Sequence, residues 1–169
     1  MTMNSSIKNL NQALAFQLEG VHEVVKRLQS DLSKVSKTIS DPDTRAAFNS
    51  YRHNLEDERL KLKRIFGYLL AGPYGRKASH GDALLAPDDF TGKDILPKLR
   101  DILLSCSLQS AIRYLITAYN DARYVAMRLE LDAVVRILDE IVDAEEQSSQ
   151  HIRRVSSTEI NQACLLTTN

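Results

Sequence analysis

Apolar residues recur in steps of three and four along most of this chain. That spacing puts them on one face of an α-helix and leaves few other folds open. The first series runs from Ile7 and Leu10 through Leu18, Val25 and Leu32 to Ile39, with Lys8, Glu23, Lys26 and Lys34 on the other face. Ser5 or Ser6 is placed to cap it. Ser40-Asp41-Pro42-Asp43 then stops the pattern and restarts it, because Pro42 has no N–H to lose at a first helical position. The second series holds Phe48, Tyr51, Leu55, Leu62, Ile65, Phe66 and Leu69, passes through Glu58, and meets a terminator at Gly72-Pro73. Residues 71–93, AGPYGRKASHGDALLAPDDFTGK, show no period. A third series starts near Asp94 and includes Leu96, Leu99, Leu103, Cys106, Ile112, Leu115 and Tyr119. A break at 129–132, with Asp132 as cap, leads into a fourth through Val134, Leu138, Ile141, Glu145, Ile152 and Val155.

Two long helices joined by a tight turn must run antiparallel. The chain holds two such pairs, and helices of about 30 residues span roughly 45 Å. A link of roughly 20 residues can run that length, so helices two and three are expected to be parallel. The expected fold is all-α, an antiparallel four-helix bundle with one long crossover between helices 2 and 3. A single domain over residues 1–169 is expected, with its ordered core at 5–155 and a frayed tail at 156–169.

A chain of 169 residues buries a proper core without disulfides or structural metal. Lys and Arg number 22, as do Asp and Glu, so no net field draws in nucleic acid or an anionic membrane. Every apolar run is cut by a charge well short of a membrane span. Met1–Leu10 lacks the apolar core of a signal peptide. Cys106 and Cys164 are read as reduced thiols, which together with these features points to the cytoplasm. The link carries Gly72, Gly75 and Gly81 beside Arg76, Lys77 and His80. It lacks the spacing of a phosphate-binding loop, and a solvated crossover is the reading that fits.

The segment SDPDTRAAFNSYRHNLEDERLKLKRIFGYL resembles the second helix of ferritin-like proteins, nearest to the YciF-type stress-associated proteins. AYNDARYVAMRLELDAVVRILDEIVDAEEQ resembles their third-to-fourth-helix turn. The resemblance implies a ferritin-like bundle. In metal-binding members it also implies two helices that each give a Glu and two that each give Glu-x-x-His.

This sequence departs from that ligand set. Glu145 has Ser148 at i+3, Glu58 has Lys61, and the third helix offers Ile112 and Leu115 where a carboxylate is needed. His151 lies six residues from Glu145, off its face. Only Glu19 with His22 keeps the Glu-x-x-His form, and a solvated Glu beside a boundary His is the simpler account of that pair. Glu19, His22, Glu58 and Glu145 are therefore weak metal candidates, and no metal, cofactor or catalytic residue is expected. Glu58 and Glu145 lie on the apolar stripes and point inward, where a carboxylate needs a partner. An inward Arg or Lys for Glu58, or a helix rotation that carries it to the rim, is the simpler expectation; a remnant metal site or a polar core site is the other. Tyr119 is expected in the core with its hydroxyl seeking an acceptor.

The functional expectation is a non-enzymatic structural or interaction protein, stress-linked by resemblance, without a di-iron site. Aromatic residues on more than one side of the second helix, Tyr51, Phe66 and Tyr68, point to a homodimer. A metal-binding or oxidoreductase protein with an atypical site is the first alternative. A helical bundle that binds a small ligand is the second.

Overall fold

The computed structural model describes residues 7–71, 85 and 94–167. Four helices account for nearly all of them: α1 (Leu10–Val35), α2 (Pro42–Tyr68), α3 (Pro97–Arg128) and α4 (Asp132–Thr167). No strand occurs among the described residues.

Each boundary has a local cause. Asn9 caps α1 by accepting from the Gln12 amide at 2.8 Å, while the Gln12 side chain accepts from the Lys8 amide at 2.8 Å. Helix α1 thus starts after Ser5 and Ser6, which lie outside the described residues. Asp41 caps α2 through the Thr44 amide at 2.8 Å, with Pro42 in the first turn, as the sequence predicts. Helix α2 ends at Tyr68 and its closure runs through Leu70; the expected terminator Gly72-Pro73 lies outside the described residues. Leu70 has φ 51, and Ala71 N–H closes onto the Phe66 carbonyl at 3.0 Å. Glu130 does the same after α3, with φ 57 and a 3.0 Å bond from Leu131 N–H to the Ala126 carbonyl. Both are Schellman closures without glycine, so the sequence gives no sign of them. Two further expectations need correction. Pro97, not Asp94, opens α3, and Asp132 is the first helical residue of α4 rather than its cap. Helix α4 also continues to Thr167 instead of fraying after Ser156, and Ser156 and Glu159 are buried along it.

Cross-helix bonds fix the topology. Helices α1 and α3 are antiparallel, since Gln17 reaches the Ala118 carbonyl at one end and Arg100 reaches the Thr38 carbonyl at the other. Helices α3 and α4 are antiparallel through Lys98–Gln162, Gln109–Ser149 and Arg123–Asp139. Helices α2 and α4 are antiparallel through Asn54–Ser148 and Lys61–Glu140. Helices α2 and α3 therefore run parallel, as expected of a bundle with one crossover. Their starts meet where Asp101 accepts from Ser40 and Asp41, and Glu58 meets Tyr119 farther along. The packed neighbours are α1 with α2, α2 with α4, α4 with α3, and α3 with α1. Helices α2 and α3 thus face each other across the bundle diagonal, and a bond between them crosses its axis.

The core is continuous along that axis, from Leu14, Leu18 and Leu28 on α1 to Phe48, Leu55 and Leu62 on α2. Leu108, Ile112 and Leu115 come from α3, with Leu138 and Ile141 from α4. Each fully buried Leu or Ile contributes roughly 1.5–3 kcal/mol relative to exposure. The first half of α3 departs from expectation. Leu96, Leu99, Leu103 and Cys106 face outward, while Asp101, Leu104, Ser105 and Leu108 face inward. Among the described residues, no helix is long and apolar enough to cross a membrane.

Candidate functional site

Two carboxyl groups sit on the bundle axis. Glu58 on α2 is 5% exposed and Glu145 on α4 is 1% exposed, so both point inward as their place on the apolar stripes predicts. Mid-helix backbone N–H groups are already committed to their own helices. A carboxyl buried there must find donors on other side chains. Tyr51, two turns before Glu58 on the same face of α2, donates its hydroxyl to Glu145 Oε2 at 2.8 Å. Tyr119 on α3 donates a short hydrogen bond to Glu58 Oε1. Glu58 and Glu145 hydrogen-bond each other. The result is a chain across the bundle, Tyr51 to Glu145 to Glu58 to Tyr119.

Two carboxylates cannot hydrogen-bond without a proton between them. Burial pushes the Glu58 carboxyl well above its usual range, and the charge of Glu145 raises it further. Burial also raises Glu145, while hydrogen bonds from Glu58 and Tyr51 pull it partly back. Burial thus keeps a proton on the pair, shared between Glu58 and Glu145. Both phenols are held well above their ordinary range, first by burial and then by the neighbouring carboxyl charge, so they remain donors. Every proton in the chain has an acceptor, and a like-charged pair is avoided by sharing one proton.

The expectation of a basic partner for Glu58 is corrected here. Lys61 bridges Asp57 at 3.1 Å and Glu140 at 3.6 Å, and it acts on Glu58 only as a small through-space influence. A lysine that reaches surface carboxylates from its half-buried stem has no reason to enter the core. The tyrosine partner of Glu145 is the feature that sequence reasoning missed. Tyr51 shows only as one more apolar-stripe residue, and which helix it meets is decided by packing.

Glu19 and His22 stand apart from this chain. Both are buried, so the expected solvated Glu and boundary His are also corrected. The His22 ring meets Phe66 edge-on at 6.0 Å, and its Nδ1 lies 3.6 Å from Glu23 Oε1. Burial lowers its pKa, with Glu23 opposing, so the ring is neutral. Among the described residues, no three His, Cys, Asp or Glu side chains gather closely enough to hold a metal ion.

The Tyr51 end of this chain lies against a surface cleft. A cleft of about 280 Å³ between α2 and α4 is lined by Tyr51, Asn54, Asp57, Ser148 and His151. Asn54 donates to Ser148 Oγ at 3.1 Å across it, and Ser148 in turn donates to the Ala144 carbonyl at 2.9 Å. The residue at the i+3 position from Glu145 is thus turned onto its own helix. The phosphate-cradle reading of residues 72–81 concerns a segment outside the described residues.

The same architecture is found in solved structures. The E. coli stress protein YciF aligns with a TM-score of 0.77 at 14% identity, covering 92% of this chain and 99% of its own. YcfI from Rhodopseudomonas palustris aligns with a TM-score of 0.75 at 17% identity, covering 89% of this chain and 97% of its own. At such identities the likeness establishes the fold. No curated protein sequence matches. Residues 9–165 match the family model described as a domain of unknown function, DUF892, and the chain belongs to that family.

Proposed function

We propose that this chain is a non-enzymatic structural or interaction protein of the stress-associated type. In this reading it works in the cytoplasm as a homodimer, and its bundle centre holds a proton where ferritin-like enzymes hold two irons. The stress association rests on the likeness to YciF, described as a stress protein. The absence of a di-iron centre rests on the donor set.

The single observation that carries this reading is the closed hydrogen-bonded chain Tyr51–Glu145–Glu58–Tyr119. A di-iron site needs ionised carboxylates with free lone pairs and imidazole donors beside them. Here one carboxyl is protonated, and tyrosine hydroxyls and the other carboxyl occupy the oxygens. Ser148 and Lys61 stand at the i+3 positions that would carry histidines. Loading two dications would require stripping every hydrogen bond in the chain.

The test is elemental analysis of protein purified without chelators and then offered ferrous iron in air. The expected result is iron well below one atom per chain and no ferroxidase turnover. Stoichiometric iron, or oxidation of ferrous iron that disappears in Glu145→Ala, contradicts the reading and makes the metalloprotein alternative the better one.

A further inference from the structure

The start of α2 and the later part of α4 enclose a cleft of about 410 Å³. Asp41, Asp43 and Glu159 line it, together with Arg154 and His151. Asp41 and Asp43 have a task in the fold, since both sit where α2 opens and an acid there favours the helix. Glu159 has no such task. It lies well inside α4, where the backbone amides are already committed. It forms the floor of the cleft, is 3% exposed, and neither of its carboxyl oxygens has a hydrogen-bond donor. Burial raises its pKa, the neighbouring Thr44 hydroxyl eases it, and the charges of Asp41 and Asp101 raise it again. That hydroxyl has one hydrogen, and it goes to Asp41 Oδ2 at 2.9 Å. The basic side chains at this end of the bundle are engaged elsewhere. Arg45 holds the Ile39 carbonyl at 2.6 Å, Arg100 the Thr38 carbonyl at 2.9 Å and Lys98 the Gln162 side chain at 3.0 Å. Among the described residues, Asp41, Asp43, Glu159 and Arg154 form no ion pair. A carboxylate buried in this way is costly until a cation or a proton reaches it.

The lining selects the occupant. Three ionised acids outweigh the one arginine, so the cleft favours a cation of more than one charge. A metal ion needs its ligands gathered in one small sphere, and among the described residues no three such side chains come that close. An alkylammonium needs no such convergence. Each ammonium brings three N–H donors of its own, and a carbon chain between two of them spans acids that stand apart. The cleft has room for a chain of that kind. We propose that it binds a short aliphatic diamine, one ammonium on Glu159 beside Asp41 and the other at exposed Asp43 on the rim. Glu159 supplies the buried charge that a cation is drawn to, and the rim acid adds a weaker, solvent-screened attraction. The site is separate from the bundle centre and does not depend on the proton-sharing pair there.

The test is calorimetric titration of the full chain with 1,4-diaminobutane at neutral pH and low ionic strength. One saturable site per chain is expected, with a melting temperature that rises as ligand is added. Glu159→Gln keeps the shape of the side chain and removes its charge. It should weaken binding about tenfold or more, the value of one hydrogen bond to a charged group. The unliganded variant should melt no lower than the wild type, because a buried charge without a partner has gone. Asp43→Asn should weaken binding about threefold, as befits an exposed charge, and it reads the site even where Glu159→Gln fails to fold. n-Butylamine, with one ammonium, should bind the wild type about threefold more weakly than the diamine for the same reason. Glu146→Gln, an exposed acid elsewhere on α4, should leave binding unchanged. The proposal is overturned if no saturable site is found, or if both Glu159→Gln and Asp43→Asn bind as the wild type does. Equal binding of n-butylamine, or Mg²⁺ filling the site as tightly as the diamine, overturns it too.

Discussion

The middle of the bundle and the end where α2 and α3 begin both bury carboxyl groups, and they satisfy them by opposite means. At the end, Asp101 is 0% exposed and accepts from the Ser40 amide at 2.9 Å, the Asp41 amide at 3.0 Å and the Ser40 hydroxyl. Those amides are free because they precede the first turn of α2, whose opening N–H groups have no intrahelical acceptor. In the middle no such amide exists, so Glu58 and Glu145 take hydroxyl donors from Tyr51 and Tyr119 and a proton from each other. Position along a helix decides how a carboxyl can be buried. A helix end supplies backbone donors, and a helix centre demands side-chain donors or protonation.

Removing one member of the middle pair should have the largest effect. Glu145→Ala leaves a cavity and deprives both Tyr51 and Glu58 of a partner, so a loss of about 3–5 kcal/mol is expected from denaturant unfolding. At the end, Asp101→Ala abandons two amides and a hydroxyl that water can reach more readily once the turn loosens. A loss of about 2–4 kcal/mol is expected there, with faster amide exchange confined to residues 36–45. If the two losses reverse in rank, the comparison is wrong about which region depends more on its carboxyl.

Tyr119→Phe should cost about 1–3 kcal/mol, because Glu58 then loses its hydroxyl donor while staying buried. Tyr51→Phe should behave alike, and the double variant should lose less than the sum, since both act on one proton-sharing pair. Strict additivity in that cycle would mean that the two tyrosines are independent and the chain is not a unit.

The smallest effect is on pH dependence, and it separates the mechanisms most cleanly. Both middle carboxyls have folded-state pKa values raised above the unfolded ones by burial. The folded state therefore binds more protons than the unfolded chain once the latter ionises. Stability from this pair is full below the unfolded carboxylate range and falls as pH rises through the raised values. Glu58→Gln keeps a donor and an acceptor where the protonated acid stands. In acid, where both carboxyls are protonated, it should change stability by less than about 1 kcal/mol, and above that range it should flatten the decline by one proton's worth, about 1.4 kcal/mol per pH unit at most, so that the variant gains on the wild type toward neutral pH.

Much of the bundle is legible in the sequence, for reasons that also explain the failures. Asp41-Pro42 announces a helix start with chemistry that belongs to nothing else, so the turn and the α1–α2 pairing follow. The ends of α2 and α3 use Leu70 and Glu130 at positive φ, a conformation neither residue advertises. The outer stripe on α3 obeys the same periodicity as the inner one, so pattern alone cannot choose between Leu103 and Leu104 as the core residue. Periodicity does reveal that Glu58 and Glu145 point inward, because that property belongs to one helix. Their partners come from other helices, and which tyrosine faces which carboxyl depends on rotation and stagger that packing sets. Tyr119 could be recognised as a core phenol in need of an acceptor, whereas Tyr51 had no mark to separate it from its apolar neighbours.

The central claim is that the bundle centre holds a proton shared by two carboxyls. Infrared difference spectroscopy of the metal-free protein at neutral pH tests it most directly. The account predicts a carbonyl stretch of a protonated carboxylic acid that shifts in heavy water and disappears in Glu58→Gln, with the fold intact. Two ionised carboxylates and no acid carbonyl at neutral pH would contradict it.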